Sequence, residues 1–191
     1  WNIGQLVLSP NWTPIIAYNY WDWYSNQLVV AEYTNWTWNQ LWDEINWSIG
    51  QLVLSPNWTP IIAYQDWSSK QWFVAEYSNW TWNQLFEIQK DNIHQLVISP
   101  NWTPMIAYNY WDWYSNQLVV AEYTNWTWNQ LWDEINWSIG QLVLSPNWTP
   151  IIAYQDWSSK QWFVAEYSNW TWNQLWNGIQ DWEIRHLVIS P

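Results

Sequence analysis

Asn11-Trp12-Thr13-Pro14-Ile15-Ile16-Ala17-Tyr18 decides the fold, because the chain contains this stretch four times. It returns at 57–64, at 101–108 with Met105 in place of one Ile, and at 147–154. A fixed long period is the signature of a repeat protein, in which each repeat forms one structural unit. We therefore expect each copy of this stretch to belong to one repeated unit of the fold.

The repeats are about 45 residues long. The intervals between Ile3, Ile49, Ile93, Ile139 and Ile184 are 46, 44, 46 and 45 residues. We predict a single repeat domain over 1–191. It comprises repeats 3–48, 49–92, 93–138 and 139–183, and a partial repeat 184–191 that copies the opening of the chain.

A second symmetry lies above the first. Repeats one and three share Asn-Tyr-Trp-Asp-Trp-Tyr at 19–24 and 109–114, whereas repeats two and four carry Gln-Asp-Trp-Ser-Ser-Lys at 65–70 and 155–160. The chain is therefore also a duplication of a pair of repeats about 90 residues long.

Each repeat alternates short β-type runs with turn residues, which predicts four strands. In repeat one these are 5–9, 14–18, 26–33 and 36–42, followed by a linker at 43–48. A faint helical period at 38–47 is the main competitor, because it would allow a short helix there.

Four strands in about 45 residues is the size of a propeller blade. The runs at 6–8 and 28–31 are apolar on both strand faces, as in strands packed on both sides. We predict an all-β, tandem-repeat, β-propeller-like fold of four four-stranded repeats. An antiparallel β-barrel built from the same repeats is the alternative. The matching ends fit either a closed ring or an open array that pairs with another molecule.

Charge and composition exclude several classes of function. Four Lys and Arg against 16 Asp and Glu give a net charge of -12, which excludes nucleic acid and disfavours an anionic membrane. No apolar run reaches the roughly 18 residues of a spanning helix, so membrane insertion is not expected. The absence of Cys excludes disulfides and thiolate metal sites. We predict no metal and no cofactor. The chain begins at Trp1, as a processed secreted protein would, and we expect it to be secreted.

Tryptophan dominates the composition. The chain has 27 Trp, more than one core can bury with a partner for each indole N–H. A good share should therefore lie at the surface, where exposed aromatic area marks a binding site.

One pattern in each repeat resembles the fungal and bacterial fucose-binding propeller lectins. A short strand ends in Tyr at 14–18, a strand at 28–32 carries Glu32, and a Trp-containing segment follows at 36–38. The resemblance implies propeller blades of about 45 residues, some built as two-blade units, and sugar sites that use the Glu and the Trp. The family's sugar-binding Arg has no counterpart here, where Ile16 and Ala17 stand. The family also has six blades, and we count four repeats.

A glutamate recurs near the end of the third strand of every repeat. Glu32 shares a strand face with Leu28 and Val30 by alternation, and a carboxylate on an apolar face requires a partner. It is either a structural acceptor or an acceptor for sugar hydroxyls that lie beside a Trp ring. The candidate residues are Glu32, Glu76, Glu122 and Glu166.

A pair of tryptophans follows each of these glutamates. A spacing of two places both rings on one strand face, where they either bind a ligand or fill the core between blades. The Asn before each pair is either a turn residue or a ligand contact. The pairs are Trp36 and Trp38, Trp80 and Trp82, Trp126 and Trp128, and Trp170 and Trp172.

The aromatic loop of the odd repeats is the third candidate, because so many aromatic residues in one loop are hard to bury. Its even counterpart has the same Asp and Trp, so loop binding would give two classes of site. The candidates are Trp21, Asp22 and Trp23, Asp66 and Trp67, Trp111, Asp112 and Trp113, and Asp156 and Trp157.

Together these patterns favour a Trp-rich multivalent lectin that binds glycans or glycoproteins with one aromatic and polar site per repeat. The alternatives are a self-assembling structural or adhesive protein, which the matching ends also favour, and a carrier of an apolar or pigment ligand. Association into homo-oligomers stays open. We predict no enzymatic activity, because equivalent sites lack the asymmetric acid–base pairs of catalysis.

Overall fold

A computed structural model describes residues 2–21, 25–45, 47–88, 92–111, 116–135, 137–179 and 187. All regular structure in these residues is β-strand, and the strands form four antiparallel sheets of four strands each. Strands adjacent in sequence are adjacent in the sheet, because short turns connect them. The prediction of an all-β chain with four four-stranded repeats is confirmed.

Each sheet contains one repeat. Sheet 1 is β1 (Asn2–Leu8), β2 (Pro14–Trp21), β3 (Asn26–Thr34) and β4 (Thr37–Ile45). Sheet 2 is β5 (Trp47–Leu54), β6 (Pro60–Asp66), β7 (Trp72–Ser78) and β8 (Thr81–Ile88). Sheet 3 is β9 (Asn92–Ile98), β10 (Pro104–Trp111), β11 (Asn116–Thr124) and β12 (Thr127–Ile135). Sheet 4 is β13 (Trp137–Leu144), β14 (Pro150–Asp156), β15 (Trp162–Ser168) and β16 (Thr171–Ile179).

The predicted linker at 43–48 is wrong. Strand β4 continues to Ile45 and β5 begins at Trp47, so the two strands are separated by a single residue. The described residues of the faint helical period, 38–45 and 47, also lie in strands. A β-bulge at Leu41 explains the period, since Val30 pairs with Trp42 while Ala31 pairs with Gln40. The extra residue shifts the strand alternation by one position, and the shifted pattern resembles a helical one. Because of the bulge, Trp38 pairs with Tyr33 and Trp42 pairs with Val30, so the two tryptophans lie on opposite faces of β4.

The predicted aromatic loop at 19–24 is also shorter than expected. Strand β2 runs to Trp21, which pairs with Asn26 in β3. Strand β10 likewise runs to Trp111 in repeat three. Asn19, Tyr20 and Trp21 continue the pairing of β2 with β3, because aromatic side chains are favourable in strands. Asp22, Trp23, Asp112 and Trp113 lie outside the described residues.

The strands divide into two compact units, Trp1–Lys90 and Asp91–Pro191. In the first unit sheet 1 packs face to face on sheet 2, and alternate residues from both sheets are buried between them. Such side chains contribute about 1.5–3 kcal/mol each when fully buried. This core contains Ile15, Ala17, Leu28 and Val30 from sheet 1, and Leu52, Ile62, Tyr64 and Ala75 from sheet 2.

The second unit repeats this packing between sheets 3 and 4. Its core contains Met105, Ala107, Leu118, Val120, Leu142, Ile152, Tyr154 and Ala165. Every member corresponds to a core residue of the first unit 90 positions earlier. The opposite face of sheet 4 carries Ile151, Ala153 and Val164, and Leu187 of the partial repeat packs against them.

Asn19 holds sheets 1 and 2 together away from the core. Its Nδ2 donates to the carbonyl of Trp47 at 2.9 Å, and its Oδ1 accepts from the backbone N–H of Ile49 at 2.9 Å. Asn26 Nδ2 donates to the same carbonyl at 2.9 Å. These bonds satisfy backbone groups of β5, which is an edge strand of sheet 2, and they connect sheet 1 to sheet 2.

The turns at one end of each sheet carry tryptophans in the left-handed conformation. In sheet 1 the third turn consists of Asn35 and Trp36, with φ of 53° and 64°, as a type I′ turn requires. The first turn ends at Trp12, with φ of 64° and a bond from its N–H to the Ser9 carbonyl at 2.9 Å. Asn suits this conformation, but a Trp there costs roughly 1–2 kcal/mol.

Because successive strands are antiparallel, the first and third turns of a sheet lie at the same end. We call this end the Trp edge. In all four sheets it presents one Trp from each of these turns, in the pairs Trp12 and Trp36, Trp58 and Trp80, Trp102 and Trp126, and Trp148 and Trp170.

Candidate functional site

An open cavity of about 450 Å³ lies between sheets 1 and 2 at the Trp edge of the first unit. Sheet 1 supplies polar groups from its first turn and from the end of β3, and sheet 2 supplies an aromatic wall. The lining residues are Ser9, Pro10, Asn11, Thr13, Ile15, Glu32, Thr34, Leu41, Trp58, Pro60 and Tyr77.

Glu32 is the carboxylate of this cavity. It pairs with Ile15 across the β2–β3 ladder, so its side chain stands at the end of the apolar face that packs on sheet 2. Its carboxylate accepts no hydrogen bond from any described residue. A half-buried acceptor of this kind is available to a ligand that carries hydroxyl or amine donors.

Tyr77 lies across the cavity from sheet 1. Burial raises the pKa of its phenol above the ordinary value, and the negative charge of Glu32 raises that pKa further. The Tyr77 hydroxyl therefore stays protonated over the whole physiological range and is available as a donor or an acceptor. Its ring packs on Trp82 with centroids 5.4 Å apart, which holds the side chain in place.

The first turn of sheet 1 arranges hydroxyl and amide groups at the cavity mouth. Ser9 Oγ accepts the backbone N–H of Thr13 at 3.0 Å and donates to the Asn11 side chain. Thr13 Oγ1 donates to Asn11 Oδ1 at 3.2 Å. The Asn11 carbonyl oxygen thus receives two hydroxyls. No hydrogen bond from its Nδ2 to a described residue is present, so that donor can reach a ligand.

The four repeated glutamates fall into two classes. In the even repeats Thr59 Oγ1 donates to Glu76 at 2.5 Å and Thr149 Oγ1 donates to Glu166 at 2.7 Å. Each Thr hydroxyl also contacts a Ser hydroxyl at 2.6 Å, so these carboxylates belong to closed networks within their own sheets. Glu122, like Glu32, accepts no such bond within the described part of the chain.

The two tryptophans of each pair also have different environments. The first of each pair stands in the turn and not in the fourth strand, and about 90% of its surface is exposed, as with Trp36 at 91% and Trp80 at 89%. The second packs on its cross-strand Tyr, with Trp38 5.2 Å from Tyr33. The expectation that both rings share one strand face is therefore wrong. The same second position is occupied by Trp82, Trp128 and Trp172, each 5.2–5.4 Å from its Tyr.

Trp82 shows the core role of this second position. Its ring stacks on Trp42 of sheet 1 with centroids 4.9 Å apart, inside the first unit. Its indole Nε1 is buried and has no hydrogen-bond partner among the described residues. The Asn of each turn is a turn residue as well, since Asn35, Asn79, Asn125 and Asn169 all have φ of 53–54°.

The even-repeat candidates Asp66 and Trp67 form a self-contained turn. Asp66 Oδ1 accepts the N–H and the hydroxyl of Ser68 at 2.9 and 2.7 Å, and Oδ2 accepts the Ser69 hydroxyl at 2.9 Å. These bonds, those of Ser68 first, lower the pKa of the Asp66 carboxyl. Lys70 Nζ lies 5.1 Å from the Trp67 ring centroid. Asp156, Trp157 and their neighbours repeat the arrangement in sheet 4.

The predicted site residues therefore do not come together at one place in a repeat. Trp21 and the Asp66 turn lie at the opposite end of their sheets from Glu32 and Trp36. The cavity instead uses Ser9, Asn11 and other residues that the sequence analysis did not select. Their signal was the repeated Pro-Asn-Trp-Thr segment, which served in the sequence only to define the repeat.

Within the described ranges no group of three His, Asp or Glu side chains is placed to hold a metal ion. No helix of the described chain is long and apolar enough to cross a membrane.

Neither a protein-family model nor a curated protein sequence matches the chain. Solved structures do match it. A Bacteroides uniformis protein assigned as a 6-phosphogluconolactonase has a TM-score of 0.58 at 13% identity, over 92% of this chain and 54% of its own. The polysaccharide lyase Uly1 has a TM-score of 0.59 at 10% identity, over 90% and 48%. A puromycin hydrolase has a TM-score of 0.57 at 14% identity, over 84% and 26%.

These likenesses bear on the fold alone, because the identities are very low. The chain spans about half the length of the first two proteins it matches. Their propeller-like folds, together with four sheets of blade size, confirm the predicted propeller-like class. All three are enzymes by name, and the absence of enzymatic activity in this chain stays a prediction.

Proposed function

We propose that this chain is a carbohydrate-binding protein whose sugar sits in the cavity of the first unit. One observation carries the proposal. The Glu32 carboxylate, which has no hydrogen bond of its own, faces the same space as the Trp58 ring and several hydroxyl and amide groups. Sugars present vicinal hydroxyl donors on their edges and C–H groups on their faces, and this set of side chains matches both.

The charge of the cavity favours an uncharged sugar. Glu32 is its only charged lining residue, and no Lys, Arg or His lines it. A sugar that carries a carboxylate, sulfate or phosphate would bring a second negative charge close to Glu32. Neutral hexoses and pentoses, and amino sugars with a free amine, avoid this repulsion.

The second unit carries the same residues in the same order. Only Ile15 differs, since Met105 replaces it, and Met105 is buried in the core as Ile15 is. The corresponding residues are Ser99, Pro100, Asn101, Thr103, Met105, Glu122, Thr124, Leu131, Trp148, Pro150 and Tyr167. We therefore expect two sites per chain, in the odd repeats, which is fewer than the one per repeat expected from the sequence. Two weak sites on one body would give avidity for glycans and glycoproteins on a surface.

Binding without catalysis fits the composition of the cavity. Glycoside hydrolysis by the usual route needs two carboxyl groups on either side of the bond, and Glu32 is the only one in the lining. A secreted location fits such a role and belongs to the proposal.

A glycan array followed by calorimetry tests the proposal. We expect a hit on neutral glycans with two sites per chain. Glu32→Gln together with Glu122→Gln should weaken binding about tenfold or more, because a charge-assisted acceptor is lost. The control, Glu76→Gln with Glu166→Gln, should leave the affinity unchanged, since those carboxylates are engaged by Thr. A blank array with folded protein, or equal losses in both variants, would refute the proposal.

Self-assembly is a second candidate function, and one observation favours it. Leu6 on the outer face of sheet 1 is 59% exposed, whereas its repeat equivalents Leu52, Leu96 and Leu142 are at most 2% exposed. The apolar face that the other repeats bury is thus open in the first. Light scattering over a concentration series tests this. Growing particles that shrink in a Leu6→Lys variant would support assembly, and a small species of constant size would exclude it.

A further inference from the structure

Four hairpins of this chain hold a tryptophan where a type I′ turn normally holds glycine. The second loop residues are Trp36, Trp80, Trp126 and Trp170, with φ of 62–64°. Gly is the preferred residue at this position, because a Cβ crowds the left-handed backbone. Strained conformations of this kind concentrate at functional sites.

The turns do not need tryptophan in order to form. In sheet 1 the Asn39 side chain reaches back across the hairpin, and its Nδ2 donates to Thr34 Oγ1 at 2.6 Å and to the Thr34 carbonyl at 3.3 Å. Asn83, Asn129 and Asn173 make the same bonds in the other sheets. The Trp36 ring is fully exposed and belongs to neither core, so the fold gains nothing from it.

The Trp edge arranges these rings in pairs. Within a sheet the first turn and the third turn are two strand spacings apart, about 10 Å. Trp12 and Trp36, both largely exposed, thus stand on one edge of sheet 1. The groups around them are hydroxyls and amides, among them Thr34, Thr37 and Asn39, and no Lys or Arg occurs in these turns.

We propose that the tryptophan pairs of the Trp edge are stacking platforms for an extended, uncharged polysaccharide. The inference rests on the proposed function and adds a subsite beyond the cavity, since Trp58 both lines that cavity and belongs to the edge. Flat indoles stack on the C–H faces of sugar rings, and neighbouring hydroxyls and amides bond to the ring edges. The net charge of -12 and the lack of cations at the edge disfavour an anionic polymer or an anionic lipid surface.

Replacing the turn tryptophans by glycine separates binding from stability. The variant combines Trp36→Gly, Trp80→Gly, Trp126→Gly and Trp170→Gly. We expect its Tm to equal or exceed that of the wild type, because Gly relieves the left-handed strain. Its affinity for a linear neutral glucan, xylan or mannan should fall roughly tenfold or more through lost avidity. The affinity for the matching trisaccharide, which fits the cavity, should not change.

Lysines supply the matched control. Lys70 and Lys160 have φ of 60° and 58° in turns at the opposite end of sheets 2 and 4. Lys70→Gly with Lys160→Gly relieves the same kind of strain but leaves the Trp edge intact, so polymer binding should not change. A variant with Asn at the four turn positions, which also tolerates this conformation, repeats the test with a second residue.

The outcomes distinguish the platform from the cavity. If trisaccharides bind in a Glu32-dependent way and the glycine variant holds polymer as tightly as the wild type, the platform is refuted and the proposed function stands. If polymer binding needs the turn tryptophans but trisaccharides never bind, the platform stands and the cavity proposal fails. A glycine variant with a lower Tm and unchanged polymer binding refutes the platform. The platform is also refuted if the wild type binds phosphatidylcholine vesicles but no polymer, and the glycine variant loses the vesicle binding.

Discussion

Glu32 and Glu76 occupy the same place in their repeats, but their carboxylates have different neighbours. A Thr hydroxyl donates to Glu76, whereas the corresponding Thr13 hydroxyl donates to Asn11 and leaves Glu32 open to the cavity. The sequence singles out this position, because a carboxylate on an apolar face needs a partner. Which copies are open depends on the hydroxyl orientation of one Thr, and no pattern in a sequence reports that.

The sequence does not reveal the hydrogen-bond partners of Asp66 either. Its position beside Ser68 and Ser69 is typical of a turn, yet its aromatic neighbours favoured a binding loop. Four hydrogen bonds from Ser68 and Ser69 make its carboxylate a structural acceptor. An expectation for its titration follows.

Asp66→Asn together with Asp156→Asn should destabilise the protein near neutral pH and not in acid. The native pKa of each carboxyl lies below its unfolded value, so the stabilisation is complete above the unfolded pKa of about 3.9 and is lost as pH falls through the native pKa. Because both groups are only partly buried, we expect at most about 1 kcal/mol for each turn. Urea unfolding at neutral pH and below about pH 3 measures this. An equal loss at both pH values would contradict it.

At the scale of the strands, the count was predictable and the ends were not. Alternation and turn residues indicate four strands per repeat, but the bulge at Leu41 imitates a helical period and hides the continuation of β4. A second bulge in the first strand of sheets 1, 2 and 4 lies at a glycine, between Ile49 and Gln51 in sheet 2. Bulges shift the pattern by one residue, and the sequence gives no unambiguous sign of them.

In the even sheets, close packing explains why the residue at this bulge is glycine. A Cβ on Gly50 would lie 2.3 Å from Trp72 Cζ3, and one on Gly140 would lie 2.5 Å from Trp162 Cζ3. In odd sheets a Leu stands in place of this Trp. Sheet 3 accordingly accommodates the exposed His94 at the bulge.

Gly50→Ala should therefore cost about 1–3 kcal/mol, because the Trp72 ring must move out of a packed position. Gly4→Ala is the matched control in sheet 1. Its nearest neighbour is the Ile49 side chain at 3.0 Å, which can adjust, so the expected cost is below about 1 kcal/mol. Chemical denaturation of both variants compares the two costs, and a larger loss in Gly4→Ala would show that the Trp72 contact is not the cause.

At the scale of the molecule, the pairing of repeats was visible in the sequence. The odd and even repeats differ, and the two units divide between Lys90 and Asp91. When equivalent residues are compared, the two sheets of a unit pack on each other through opposite strand faces. The repeated sequence therefore carries apolar residues on both faces of its strands. That explains the continuous apolar runs from which blade-like packing was predicted. The sequence could not indicate which equivalent positions remain uncovered, because identical repeats have different neighbours.

Equivalent leucines should therefore respond differently to truncation. Leu52→Ala, between the two sheets of the first unit, should cost about 2–5 kcal/mol. Leu6→Ala, at the exposed equivalent, should cost less than about 0.5 kcal/mol. Urea unfolding at low protein concentration gives both values. Similar losses would mean that the outer face of sheet 1 is covered in solution.

The stack of Trp42 on Trp82 gives the protein an optical signature of its own. Two indoles with centroids 4.9 Å apart and planes 27° apart couple their excited states, so the pair should produce an exciton couplet in circular dichroism. Indoles in water at the Trp edge contribute no such band. The couplet would thus report the contact of sheets 1 and 2, while the emission of the exposed rings changes little as the chain unfolds. Unfolding of the first unit can be followed separately from that background without attaching a dye.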